Sequence, residues 1–251
     1  MKLSEYAPAK DLLKDKIIIV TGAGSGIGKQ AALTFARHGA TVVLMGRTIA
    51  KLEQVYDAID AENLPQAAIY PINFEGAVEK DYIDMADKID DAFGRIDGIL
   101  FNAAELGERT PLENYAADTW QKILQVNATA PFLMVKSLLP LLRAAPSASV
   151  VFTGSSVGYR GRAYWGAYAA SKAAQENLMQ TLADEEDGTS QVRANSINPA
   201  ATRTAMRAAA YPAENPEDVK PADALMPAYL WLLGPDSAVH SGKQFDWDSE
   251  I

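Results

Sequence analysis

Tyr168 and Lys172 stand four residues apart in the run Tyr168-Ala-Ala-Ser-Lys172, a spacing that places a phenol and an ammonium on one face of a helix. A neighbouring ammonium favours the phenolate and draws a phenol down from its usual value of about 10, toward the range where it can exchange a proton near neutral pH. Ser155 lies thirteen residues before Tyr168, just past an apolar run that reads as a strand. The carboxyl edge of a parallel sheet presents such residues to ligands, and a hydroxyl there can hydrogen-bond a carbonyl oxygen. The same Tyr-x3-Lys spacing occurs at Tyr6–Lys10, but Pro8 interrupts it and no strand precedes it, so that copy is set aside.

A second constellation is Thr21-Gly22-Ala23-Gly24-Ser25-Gly26-Ile27-Gly28, which follows an apolar run directly and opens a helical stretch. Gly22 permits a sharp strand-to-helix turn, Gly26 lets a pyrophosphate approach the backbone, and Gly28 lets the helix pack close to the strand. The anion then rests on the N-terminal amides of the helix. A tight turn with no ligand would use the same glycines; the position after the first buried strand favours a dinucleotide. A phosphate loop of the GxxxxGK[ST] type is excluded, because Ala23 and Gln30 occupy positions that it needs as glycine and hydroxyl.

The second apolar run ends Leu44-Met45-Gly46-Arg47-Thr48. A site for NAD places a carboxylate here to hold the ribose 2′-hydroxyl. None is present, and Arg47 is a planar donor suited to a phosphate, so NADP(H) is predicted, with Ser25 and Thr48 as further partners of the 2′-phosphate. The alternative is a solvated surface arginine.

These residues need a scaffold, and the chain alternates apolar runs with helical periodicity throughout. Strands are expected at Lys16–Thr21, Thr41–Met45, Ala67–Ile72, Gly98–Phe101, Ser149–Thr153, Gln191–Ile197 and Lys243–Asp246. Helices are expected at Ile27–His38, Ile49–Ala61, Val78–Phe93, Asp118–Arg143, Gly166–Asp187 and Ala222–Leu233, with Tyr211–Pro221 a loop or lid. Uninterrupted apolar strands separated by helices indicate a parallel sheet covered on both faces. The fold class is therefore α/β: one doubly wound Rossmann domain with a seven-stranded parallel sheet, covering residues 15–251, after a short surface extension at 1–14.

Composition narrows the function classes. The formal net charge of -9 is of the wrong sign for a nucleic-acid surface, and no apolar run reaches the length of a membrane span. The start of the chain lacks the apolar core of a signal peptide. Cysteine is absent, which removes disulfides and thiol catalysis and fits a reducing, cytoplasmic setting. His38 and His240 are far apart, so no metal is expected.

Taken in order, these motifs make the chain resemble the short-chain dehydrogenase/reductase family, from about Lys14 to the C-terminus, and within it bacterial oxidoreductases of the YciK type. Thr21–Gly28 matches the TGxxxGxG turn, Asn102-Ala103-Ala104 stands at the family's Asn-Ala-Gly, Asn127 matches the helix asparagine, and Asn198-Pro199-Ala200 with Thr204 resembles the PG…T segment. The resemblance implies that Tyr168 is the general acid/base, that Lys172 lowers its pKa and holds the nicotinamide ribose, that Ser155 orients the carbonyl, and that Asn127 holds a water of the proton relay. It implies cofactor contacts from Thr21, Gly22, Ser25, Gly26, Ile27, Gly28, Arg47, Thr48, Asn73, Phe74, Asn102, Ala103, Ala104, Tyr168, Lys172, Pro199 and Thr204. It also implies a homodimer or homotetramer built on the helices 118–143 and 166–187.

The chain departs from the family at Ala104 and Ala200, which replace glycines, at Asn73, which replaces an Asp near the adenine, and at Gln244–Trp247, which lacks the usual Asp-Gly-Gly. Substrate contacts are expected from 105–112, 157–165 and 203–221. Their Arg109, Arg160, Arg162, Arg203 and Arg207 suggest a cationic mouth for an anionic substrate. Two rival readings stay open: a non-catalytic NADP-binding redox sensor, and an epimerase or dehydratase, for which the C-terminal part is short.

Overall fold

The computed structural model describes residues 1–251. Its strands are β1 (Ile17–Thr21), β2 (Thr41–Gly46), β3 (Ala68–Pro71), β4 (Gly98–Phe101), β5 (Ala148–Thr153), β6 (Val192–Asn198) and β7 (Lys243–Asp246). They form one seven-stranded sheet in the order β3-β2-β1-β4-β5-β6-β7, and every pairing is parallel. Chain order reverses between β1 and β4, and that reversal opens a crevice at the carboxyl edge.

The helices are α1 (Gly26–Arg37), α2 (Ile49–Ala61), α3 (Glu79–Phe93), α4 (Ala117–Leu124), α5 (Ala130–Arg143), α6 (Ser156–Tyr159), α7 (Gly166–Glu186), α8 (Ala205–Ala210) and α9 (Met226–Leu233). Two cores flank the sheet: one packs residues of α1, α2 and α9 beneath it, the other residues of α3, α5 and α7. Both faces are dry, which is why β1, β2 and β5 are apolar without alternation.

Three expectations are corrected. Residues 1–14 are no surface extension: Leu3 and Leu13 are fully buried, and the Tyr6 hydroxyl donates to Asp236 at 2.7 Å. Their apolar side chains join the core beside α9. The helix expected over 118–143 is broken into α4 and α5 by a π turn, Gln125–Thr129. Pro131 lacks the N–H that would bond the Asn127 carbonyl four residues back, and the Ala130 N–H instead reaches five back to Gln125. The stretch expected as a 222–233 helix begins as a 3-10 turn, Ala222–Leu225, before α9. No helix is long and apolar enough to cross a membrane.

Candidate active site

The segments that follow β1 to β6 wall a cleft of about 630 Å³. At one end the glycine turn leads into α1. Gly26 holds a left-handed φ of +54°, and its missing Cβ leaves room beneath Thr204, whose Cγ2 would lie 3.3 Å away. At Gly28 a Cβ would meet the Gly22 carbonyl oxygen at 2.3 Å and Asn102 Nδ2 at 2.7 Å; glycine is there for helix-to-strand packing. Ser25 caps α1 without a side-chain bond to the helix, so the first amides of α1 remain available to an anion. This cradle, filled by any Cβ, fits a dinucleotide pyrophosphate.

Thr21 is buried behind the wall rather than in it. Its hydroxyl oxygen accepts from the Asn102 and Ala103 N–H groups at 2.9 and 3.0 Å, which ties the end of β1 to the segment after β4. Thr21, Gly28 and Asn127 therefore shape the cleft without lining it. The other predicted contacts, among them Ile27, Thr48, Asn73, Phe74, Ala104 and Pro199, do line it.

On the opposite wall, α7 presents Tyr168 and, one turn later, Lys172, both buried, while Ser155 follows β5 in extended conformation. The Lys172 ammonium donates to the Thr153 carbonyl at 2.7 Å and to Gln175 Oε1 at 2.9 Å. It lies 5.8 Å from the centre of the Tyr168 ring. Burial pulls Lys172 down to about 8, opposed by the nearby Glu176 carboxylate. Burial pushes the Tyr168 phenol up to about 12, and its contact with the Ser155 hydroxyl acts the other way. Desolvation of the phenolate thus works against the lowering expected from the Tyr-x3-Lys spacing, and two of the three ammonium N–H groups of Lys172 are taken by Thr153 and Gln175.

Glu176, one further turn along α7, is itself buried. Ser196 and Gln244 donate to its Oε2 at 2.6 and 2.9 Å. Its Oε1 has no partner and faces Gly154, where a Cβ would come within 2.4 Å. The i, i+4, i+8 spacing of Tyr168, Lys172 and Glu176 could have disclosed this carboxylate in the sequence.

Asn127 sits in the π turn with a fully buried side chain. Its Oδ1 accepts from the Glu105 N–H at 2.8 Å, and its Nδ2 donates to the Glu105 carbonyl at 2.9 Å and to Ser171 Oγ at 3.0 Å. Both amide donors are consumed, so the side chain clamps the segment after β4 and has no N–H left for a water. Glu105, expected among the substrate contacts of 105–112 and not at the cofactor, in turn accepts from Arg47 Nη1 at 2.8 Å. Lys51 also lines the cleft at that end.

Two of the five arginines of the expected cationic mouth are ion-paired. Arg203 pairs with Glu217 at 3.2 Å and Arg207 with Glu214 at 2.6 Å. Arg109 stacks between Trp165 and Tyr211, 4.8 and 4.9 Å from the ring centres, and donates to the Ala210 carbonyl. Arg162 alone of the five lines the cleft without an ion pair. Trp165 and Tyr211 close over the Tyr168 end, with Trp165 5.7 Å from Tyr168 between ring centres.

The short chain dehydrogenase family model matches residues 16–215. This chain belongs to the short chain dehydrogenase family. It is 48% identical over 242 residues to the uncharacterized oxidoreductase YciK of Escherichia coli K12, covering 96% of this chain and 95% of that protein. It is similar to the solved short chain dehydrogenase from Shigella flexneri, with a TM-score of 0.95 at 45% identity over 98% of this chain and 96% of that one. A solved Escherichia coli CFT073 protein complexed with NADPH superposes with a TM-score of 0.93 at 47% identity, over 96% of this chain and 99% of that one. The resemblance in motif order thus holds at the level of the family and of the YciK-type branch, and the chain is an oxidoreductase of that family.

Proposed function

We propose that this short chain dehydrogenase is an NADP(H)-dependent oxidoreductase acting on a carbonyl or alcohol carbon. The observation that carries this reading is convergence: Ser155, Tyr168 and Lys172 face into the same cleft that the glycine turn and Arg47 line. The NADPH held by a relative with this fold supports the choice of dinucleotide. Gly22, Gly26 and the α1 amides would take the pyrophosphate, Arg47, Ser25 and Thr48 the 2′-phosphate, and Lys172 the nicotinamide ribose. When bound, the cofactor supplies or accepts the hydride.

The chain's own groups handle the oxygen. Ser155 donates to the carbonyl oxygen and orients it, and Tyr168 gives that oxygen its proton during reduction or removes it during oxidation. Lys172, one turn along α7 and 5.8 Å from the Tyr168 ring centre, favours the phenolate and so lowers the barrier to that exchange. For the relay, Asn127 serves through its main-chain carbonyl, which Pro131 deprives of its α-helical donor; that carbonyl is the acceptor we assign to a water leading toward Lys172. Trp165, Tyr211 and Met206 line the substrate end, giving an apolar pocket with Arg162 as its one free cation. We infer a homodimer or homotetramer through α4, α5 and α7, a placement that the exposed Phe132 on α5 supports.

The test combines NADPH fluorescence titration with turnover of ketones, aldehydes, quinones and β-ketoacyl thioesters. Tyr168→Phe should retain NADPH binding and lose turnover by at least about 100-fold. Tight binding with no turnover of any compound would favour the redox-sensor reading.

A further inference from the structure

Nothing in hydride transfer calls for a carboxylate beside Arg47, yet the fold puts one there. Glu105 follows Asn102-Ala103-Ala104 along the wall of the cleft, and its Oε1 takes Arg47 Nη1 at 2.8 Å. The pair joins the segment after β4 to the end of β2. Its placement is built: Asn127, fully buried in the π turn, holds both the N–H and the carbonyl of Glu105 at 2.8 and 2.9 Å. The end of β2 carries no acidic residue in sequence, but the fold supplies one from across the sheet.

We propose that Glu105 is a cofactor-specificity residue whose carboxylate competes with the 2′-phosphate of NADP(H) for Arg47 and so tempers the preference of the site for the phosphorylated dinucleotide. The inference rests on the proposed contact between Arg47 and that phosphate. A phosphate monoester brings about -1.5 to -2 charges at neutral pH. For it to take Arg47 through two N–H groups, either the Glu105 pair opens or two anions crowd one guanidinium. The neutral 2′-hydroxyl of NAD(H) makes no such demand, and the pair can persist. Both side chains keep solvent contact, 60% exposed for Arg47 and 33% for Glu105, so the competition is moderate and screened by salt.

The experiment is titration of NADPH and of NADH by fluorescence into wild type, Glu105→Gln and Arg47→Met, at low and high salt, with thermal unfolding to verify folding. Glu105→Gln should tighten NADPH by about 3- to 5-fold, leave NADH nearly unchanged, and lose most of its gain at high salt. Glu105→Ala, whose side chain cannot reach Arg47, should give the same sign. Weaker NADPH binding, equal changes for both dinucleotides, or no change would overturn the proposal. Arg47→Met separates the two readings. If it leaves NADPH affinity intact, the phosphate contact itself is wrong; if it weakens NADPH while the Glu105 variants change nothing, only the role of Glu105 falls.

Discussion

Ala200 holds a left-handed backbone, φ +51°, in the turn after β6. An L-residue pays roughly 1–2 kcal/mol for that conformation, while glycine would lose about 0.4–1 kcal/mol through a freer unfolded chain. Relief outweighs entropy, so Ala200→Gly should stabilise the protein by about 0.5–1 kcal/mol, read as a higher urea midpoint at constant m-value; a lower midpoint would refute the strain. The other departure, Ala104, carries no positive φ and no such benefit is expected there. Lys172 gives a second prediction at this scale. Its folded pKa of about 8 lies below the unfolded value of 10.5, so the unfolded chain binds more protons between those values and stability rises with pH across that window. Measured by denaturant unfolding, wild type should gain on Lys172→Met by about 3 kcal/mol between pH 7 and pH 11. A constant difference would mean that the ammonium is not desolvated.

Among the elements, the π turn between α4 and α5 couples parts of the site that are distant in sequence. Through Asn127 it fixes Glu105 after β4 and Ser171 on α7, and Ser171 Oγ donates to the Tyr168 carbonyl at 2.8 Å. Asn127→Ala removes three bonds at a buried position and should cost about 2–4 kcal/mol. NADPH affinity should then change along with stability, because Glu105 loses its clamp; loss of stability with unaltered affinity would show that the clamp does not reach the cofactor end. At the start of α1, Gly28→Ala forces a methyl toward the Gly22 carbonyl. Backbone cannot yield as a flexible side chain would, so a destabilisation of about 1–3 kcal/mol is expected, together with weaker dinucleotide binding by titration.

For the whole molecule, buried phenols set the alkaline limit. Tyr82 and Tyr168 are pushed up to about 12, and Tyr6 and Tyr229 higher still, in each case mainly by burial. A folded pKa above the unfolded value gives stability that is complete below about pH 10 and is lost as pH rises beyond it. Thermal midpoints should therefore fall above about pH 11, once pH has passed the unfolded value of Lys172 as well; a flat profile from about pH 11 to 12 would contradict the burial of these rings. The proposed assembly belongs to this scale as well. Light scattering should give the mass of a dimer or tetramer, and Phe132→Glu on the exposed face of α5 should lower it.

The sequence alone determined the order of strands and helices, the turn around Gly22, Gly26 and Gly28, and the membership of Ser155, Tyr168 and Lys172 in one site. Local signals suffice for these: apolar runs, glycine spacing and residues one helical turn apart are properties of neighbouring positions. The π turn is not read from the sequence, which predicts one helix over 118–143, although Pro131, which removes an N–H that the Asn127 carbonyl needs, is its local signal. Tertiary structure decided what depends on distant partners. Arg47 meets Glu105, fifty-eight positions away, and Asn127 spends its amide on a segment twenty-two positions back. Arg203, Arg207 and Arg109 find their carboxylates or aromatic rings only when the substrate loops fold together. Burial, which raises Tyr168 and lowers Lys172, works against the effect that the spacing of that pair suggested. Solvent exclusion is a property of the packed molecule, and no local pattern of residue types reports its strength.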